Sequence, residues 1–282
     1  NGGAGQRFNL VGNPYPSPID ATAFIGDANN TSSITGTLYF WRKTNGVTDA
    51  GGAYCTWAGG TFVTNSNTQT VNPNGIIQTG QGFFVEALNA STTLQFNNGQ
   101  RVSNTTGQFF KTKQLVSDRS TLWLNASNSS GDFSQMAVAY IPDATQGLDE
   151  FDGKHYNDGD IALNSILDNE DFVIQGRALP FDDTDIVPLS FRTLTPGDYT
   201  ISLDHYDGLF SGSQEIILKD KVTATETNLK TGSYTFTAPS GTNNSRFELV
   251  YKTSSPLRIE SPEINKDSII IYKQNKLLNI NS

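Results

Sequence analysis

The feature that most constrains this chain is the period of its apolar residues, which recur at every second position and almost never at every third or fourth. In GDYTISLDHYDGLF, Tyr199, Ile201 and Leu203 share one face of an extended strand and Thr200, Ser202 and Asp204 the other, before a turn at Asp207-Gly208. GSYTFTAPSG and RFELVYKT repeat the pattern with Tyr234 and Phe236, then with Phe247, Leu249 and Tyr251. The same reading places strands at Phe8 to Val11 and in GTLYFWRK, GQGFFVEAL, TTLQFNN, STLWLNAS, SQMAVAYI, DFVIQGRAL and QEIILKD. Only IDATAFI offers a helix, a single short turn that Asp20 would cap. The expected fold is all-β: two consecutive β-sandwich or jelly-roll-like domains, followed by a C-terminal hairpin.

Punctuation in the sequence sets the expected boundaries. QFFKTKQLVSDRS is more basic and poorer in apolar residues than its surroundings, so a first domain is expected over 1–113 and a second over 114–253. Serines and prolines in KTSSPLRIESPE mark a linker over 254–262. The remaining 263–282 hold two apolar runs, Ile269 to Tyr272 and Leu277 to Ile280, read as a hairpin over Gln274-Asn275-Lys276. A lone hairpin is marginal in water, and the opening NGGAGQRFNLVG enters a strand without a leader pattern. Both ends are therefore read as belonging to a longer protein. NPYPSPID, with Pro14, Pro16 and Pro18, reads as a stiff extended strap crossing the end of a sandwich, because its Pro-x-Pro spacing differs from the PxxP that aromatic grooves recognise.

Charge and cysteine usage exclude several functions. With 19 Lys and Arg against 28 Asp and Glu, the net charge is −9, which opposes binding to nucleic acid. No run reaches the ~18 apolar residues of a membrane-spanning helix, so no transmembrane segment is expected. A single cysteine, Cys55, rules out an internal disulfide and thiolate-built zinc clusters; beside Trp57 in YCTWAGG it reads as a small core residue.

The densest chemical feature is acidic. Twelve Asp and Glu lie between Asp143 and Asp185 against two basic residues, Lys154 and Arg177. Within DATQGLDEFDGKHYNDGD, Asp149, Asp152, Asp158 and Asp160 combine carboxylates with Gly and Asn in the manner of a calcium loop, and they are the candidate metal ligands. No flanking helices or closing Glu complete an EF-hand, so a solvated acidic loop is the preferred alternative. His155 and His205, the only histidines, read as surface residues, and no catalytic residue or cofactor other than calcium is expected.

FNLVGNPYPSPIDATAFI, LYFWRKTNG, TGQGFFVEA, LQFNNGQR, DATQGLDEFDG, FVIQGRALPFDDTDIVPLSF, GDYTISLDHYDGLF and NSRFELVY occur in an order that covers nearly the whole chain. Together they resemble the region preceding the sorting domain in large surface and adhesin-like proteins of Bacteroidetes, particularly flavobacteria. SIIIYKQNKLLNINS resembles the first strands of that C-terminal sorting domain, an Ig-like sandwich that directs export through the type IX secretion system; its later DxxGR turn and final Gly-rich strand are not found here. The resemblance implies a non-catalytic stalk or adhesive segment, localised outside the cell or at its surface after passage through the periplasm and outer membrane. Its implied partners are the outer-membrane translocon and its shuttle protein, engaged through strands carrying Ile269, Ile271, Leu278 and Ile280. As structural motifs it carries over Asn13, Pro14, Tyr15 and Pro16, then Gly80, Gln81 and Gly82, then Gln175, Gly176 and Arg177; Asp267-Ser268-Ile269 resembles an O-glycosylation signal.

The rival reading is a carbohydrate-binding or carbohydrate-processing accessory module, with surface glycans as partners. It rests on Tyr39, Trp41, Tyr54 and Trp57, which would stack on sugar rings if exposed and fill a sheet core if not.

Overall fold

The alternating segments form strands, and the fold is all-β. The computed structural model describes residues 7–42, 54–65, 74–103, 118–156, 159–253, 270–274 and 277–281. The first block comprises β1 (Phe8–Gly12), β2 (Ile19–Asp20), β3 (Ile34–Trp41), β4 (Tyr54–Ala58), β5 (Thr61–Val63), β6 (Ile76–Ile77) and β7 (Gly82–Ala87), with two short helices, α1 (Ala21–Ile25) and α2 (Ala28–Thr31). Five of these strands make an antiparallel sheet in the order β1-β7-β3-β4-β5, and β2 pairs with β6. Asp20 caps α1 as expected, its carboxylate accepting from Ala23 N at 2.9 Å. Phe24 of α1 packs edge-on against Phe83 of β7 and stacks on Phe96, closing one face of the sheet.

TTLQFNN is not a strand. Buried Asn30 takes over the backbone there, donating to Gln95 O at 2.9 Å and accepting from Gln95 N at 2.7 Å, so a side chain replaces the neighbouring strand the segment would need.

The second block comprises β8 (Ser120–Ser127), β9 (Phe133–Ile141), β10 (Gly153–Lys154), β11 (Ile161–Leu167), β12 (Glu170–Ala178), β13 (Ile186–Thr193), β14 (Gly197–Tyr206), β15 (Gln214–Asp220), β16 (Thr225–Asn228), β17 (Tyr234–Ala238) and β18 (Gly241–Thr253). They form one sheet in the order β16-β15-β18-β13-β11-β12-β9-β8-β14-β17, with β10 beside β12; β12 and β9 run parallel and the other pairs antiparallel. The sheet curls until its margins meet: Phe236 of β17 lies 4.7 Å from Phe247 of β18 and 5.0 Å from Phe191 of β13. Leu124, Val138, Leu163, Leu189, Tyr199, Ile216 and Leu249 fill the interior. Arg246 fastens the margin, donating to Asp220 at 2.7 and 3.0 Å and to Thr237 O at 2.9 Å while lying over the Phe236 and Phe247 rings.

The two blocks share apolar surface. Trp123, Ala137, Val173 and Ile174 of the second belong to the same buried cluster as Leu38, Trp57, Phe62 and Val85 of the first. Side chains also cover the β5 edge: the Trp123 indole donates to Phe62 O at 2.6 Å, and Gln135 accepts from Thr64 N at 3.0 Å. The expected boundary at 113/114 and the linker at 254–262 lie outside the described residues. At the far end β19 (Ile270–Gln274) pairs only with β20 (Leu277–Asn281) among the described strands. Ile271 is opposite Ile280 and Leu278 opposite Lys273; Ile269 is outside the described residues. Gln274 faces Leu277 directly, so Gln274 ends the first strand and does not belong to the turn.

Candidate functional site

The acidic segment is built into the fold. Asp149 accepts from Phe151 N at 2.9 Å with one oxygen and from Thr145 N at 2.6 Å with the other. Asp152 is buried, and its carboxylate accepts from Asp149 N at 2.8 Å and Gly176 N at 3.0 Å. Burial raises its pKa to about 7, against the pull of those amides. Asp160 is exposed and meets Leu194 N through its backbone carbonyl at 3.0 Å; Asp158 is outside the described residues. The oxygens of Asp149 and Asp152 thus face backbone amides, the donors that compete with a cation for carboxylate lone pairs. Among the described residues no group of three or more His, Cys, Asp or Glu gathers at one point.

The motifs singled out in sequence are knots of the same kind. Asn13 is buried and donates to Ser17 O at 2.9 Å, Gln78 O at 3.1 Å and Ile77 O at 3.3 Å, while accepting from Tyr15 N at 2.9 Å. Gln81 O accepts from Asn13 N at 3.1 Å, which brings the proline strap and the Gly80-Gln81-Gly82 turn together. At Gly176 a Cβ would stand 2.5 Å from Phe151 Cβ, so only glycine admits the acidic loop against β12. Arg177 donates from Nε to Asp185 at 2.8 Å and completes a bidentate pair through Nη2.

Neither histidine nor Cys55 forms a nucleophilic arrangement with the partners seen. Cys55 is buried, its thiol pushed by burial to about 11. His155 Nδ1 meets Asn164 Oδ1 at 2.9 Å between the two blocks. His205 is exposed, stacked on Trp123 at 4.0 Å, with Nδ1 at 2.5 Å from Asp204. The hydrogen bond from His205 holds the Asp204 carboxyl below its ordinary value, and Asn125 donates to the same group at 3.0 Å.

The surface feature of most consequence is aromatic. Of the four sugar-stacking candidates, Tyr39 and Trp57 are buried, Tyr54 is half-buried and Trp41 is 59% exposed. Trp57 faces the core shared with Leu38 and Phe62, whereas Thr37, Tyr39 and Trp41 alternate onto the other face of β3. On that face Tyr54 lies edge-on to Trp41 at 5.2 Å and to Phe84 at 5.7 Å. Tyr156, arriving from the segment after β10, stacks on Phe8 at 4.1 Å and sits 4.9 Å from Tyr54 and 5.1 Å from Tyr39. Leu10, 66% exposed, is opposite Phe84, and the exposed Gly12 is opposite the exposed Gly82. Trp41, Tyr54, Phe84 and Leu10 thus share one face of this sheet, and Gly12 and Gly82 pair where β1 ends and β7 begins. Phe8, Phe84 and Tyr156 escaped sequence reasoning, because 72 positions separate Phe84 from Tyr156 and only the packing of the two blocks joins them.

No curated protein and no solved structure matches the chain. A family described as a domain of unknown function, DUF8693, matches residues 2–251, and the chain belongs to that family.

Proposed function

We propose that this chain is a non-catalytic β segment of a large cell-surface or secreted protein, a stalk or adhesive module exported across the outer membrane by the type IX secretion system. In this reading β19 and β20 open the sorting domain that the translocon and its shuttle protein capture. The supporting observation is that β19 and β20 pair with no other described strand, while the second block closes on itself through Arg246 and offers them no edge at that seam. Two strands of five residues bury too little apolar surface to offset their ordering entropy, so a hairpin of this kind calls for further strands. The order of sequence motifs through the first 253 residues supports the same reading, and so does the use of Asp149, Asp152 and His155 to hold backbone and neighbouring side chains.

The test is deletion of everything from Ser261 onward in the cell that exports the protein. The shortened protein should fold and remain in the periplasm. Normal secretion of that variant would remove the export role from the hairpin.

A further inference from the structure

We infer that β1 is a self-pairing edge, through which two copies of this chain join their five-stranded sheets antiparallel about a two-fold axis at Leu10. The inference goes beyond the export reading and takes nothing from it. It starts from an asymmetry between the two margins of the sheet, β5 and β1. The β5 margin is closed by the second block, whose Trp123 indole donates to Phe62 O and whose Gln135 accepts from Thr64 N. β1 has no such cover among the described residues. Ala87 N donates to Arg7 O at 2.8 Å and Asn13 N to Gln81 O at 3.1 Å, so odd-numbered residues face β7. Phe8, Leu10 and Gly12 therefore direct their N–H and C=O groups away from it, in the plane of the sheet. The devices that blunt an edge are missing too: Phe8 to Gly12 holds no charge and no proline, and its register with β7 runs without a bulge. Leu10, 66% exposed, stands at the middle of this strand.

Outward backbone groups at strand spacing are matched by another extended polypeptide, and β1 itself meets the requirements. With the axis normal to the sheet at Leu10, Phe8 faces Gly12 of the second copy, Leu10 faces Leu10, and Gly12 faces Phe8. Outward residues thus meet outward residues, and each facing pair exchanges both its N–H···O bonds. A shift by one residue would set outward groups against groups already bonded to β7. Charge permits the pairing despite the net −9: the strand carries none, and beside it Arg7 and Glu86 neutralise each other at 3.0 Å, so no like charges face across the axis. Apolar surface favours it as well. A groove of about 400 Å³ lies along β1, lined by Asn9, Val11, Ile34, Val85 and Leu94. The two-fold keeps the faces of the joined sheets aligned and sets Val11 of the second copy opposite Asn9, at the lining of that groove. On the other face the two Leu10 side chains cover each other. The joint is short, so the dimer belongs to the weak class that forms at high local concentration.

The test is sedimentation velocity of the purified 282-residue chain. Between about 5 µM and about 500 µM it should show a monomer–dimer equilibrium without larger species. Leu10→Lys sets two ammonium groups against each other on the axis and should weaken the dimer about tenfold or more, at the melting temperature of the parent because the side chain is exposed. Leu10→Cys places two thiols across the axis at a separation a disulfide can span, so mild oxidation should cross-link it as a dimer. Val222→Cys, at a comparably exposed position of the second block, should stay monomeric, and buried Cys55 does not compete. A parent that is monomeric at every concentration overturns the self-pairing and leaves the edge to a strand of another protein. Association that survives Leu10→Lys, or cross-linking of Val222→Cys as ready as that of Leu10→Cys, places the contact elsewhere and overturns it equally. Because the assay uses purified protein, its failure leaves the export reading untouched, and normal secretion after deletion from Ser261 leaves the β1 edge untouched.

Discussion

Asp220 is where the curled sheet is most exposed to a single substitution. Its carboxylate, 1% exposed, accepts from Arg246 Nη2 at 2.7 Å, Arg246 Nε at 3.0 Å, the Tyr234 hydroxyl at 2.7 Å and Val222 N at 2.9 Å. Burial alone would push the group up, but Arg246 and Tyr234 outweigh it and hold it at about 2. Against an unfolded value of about 3.9, at about 1.4 kcal/mol per unit, the linked stabilisation is about 2–3 kcal/mol. A carboxyl whose folded pKa lies below its unfolded one contributes fully above pH ~4 and loses that contribution as pH falls toward 2. Asp220→Ala at pH 7 should cost more, about 3–5 kcal/mol, because it also strands the Arg246 charge and the Tyr234 hydroxyl. Urea unfolding of the parent and of Asp220→Asn at pH 7, 5, 3 and 2 separates the parts. The gap between them should narrow by about 2 kcal/mol between pH 5 and pH 2. A gap that stays constant over that range would show that ionisation of Asp220 contributes nothing to closing the sheet.

Two further outcomes follow from buried polar groups. Asp152 behaves oppositely to Asp220: its folded pKa of about 7 lies above the unfolded value, so its contribution is present below pH ~4 and lost as pH rises through 7. The urea midpoint of the parent should fall relative to that of Asp152→Asn between pH 5 and 8, and parallel midpoints would refute the assignment. Asn13→Ala leaves the carbonyls of Ser17, Ile77 and Gln78 without their side-chain donor; a loss of about 1–3 kcal/mol is expected in the same unfolding assay, and an unchanged midpoint would mean water replaces the amide without cost.

How far the sequence reveals this molecule depends on how many faces a strand buries. Where one face meets solvent, as in Tyr199–Ile201–Leu203 of β14, alternation marks the strand at once. β11 was not legible in that way, because Ile161 to Ser165 are all buried, and Asn164 meets His155 between the blocks where a solvated strand would carry charge. The segment around Gln95 failed in the opposite sense: it alternates like a strand, but Asn30, 65 positions away, takes its backbone hydrogen bonds. At the candidate site Trp41 and Tyr54 were within reach of pattern reading, whereas Tyr39 and Trp57 required knowing which face of each strand the second block and the helix layer cover. Composition likewise counts the carboxylates of the acidic run without showing that those of Asp149 and Asp152 accept from backbone amides.

The exposure of Trp41 is itself a consequence of that covering. On one face of β3, successive two-residue steps run from Thr37, which donates to Asp152 O at 2.9 Å, through Tyr39, which donates to Lys154 O at 3.0 Å, to Trp41 in solvent. The second block therefore covers the beginning of this row, the Tyr156 ring covers its middle, and its end projects past both. A one-residue slip of β3 against β7 would send Trp41 toward α1 and bring Phe40 out, burying the indole and leaving Phe83 without the Phe40 ring that lies 6.0 Å away. Such a slip is opposed by the core pairing of Leu38 with Val85 and Trp57, so the residues that specify register also fix an aromatic ring at the surface. An exposed tryptophan whose strand register is set by the core is held at the surface by the same contacts that stabilise the sheet.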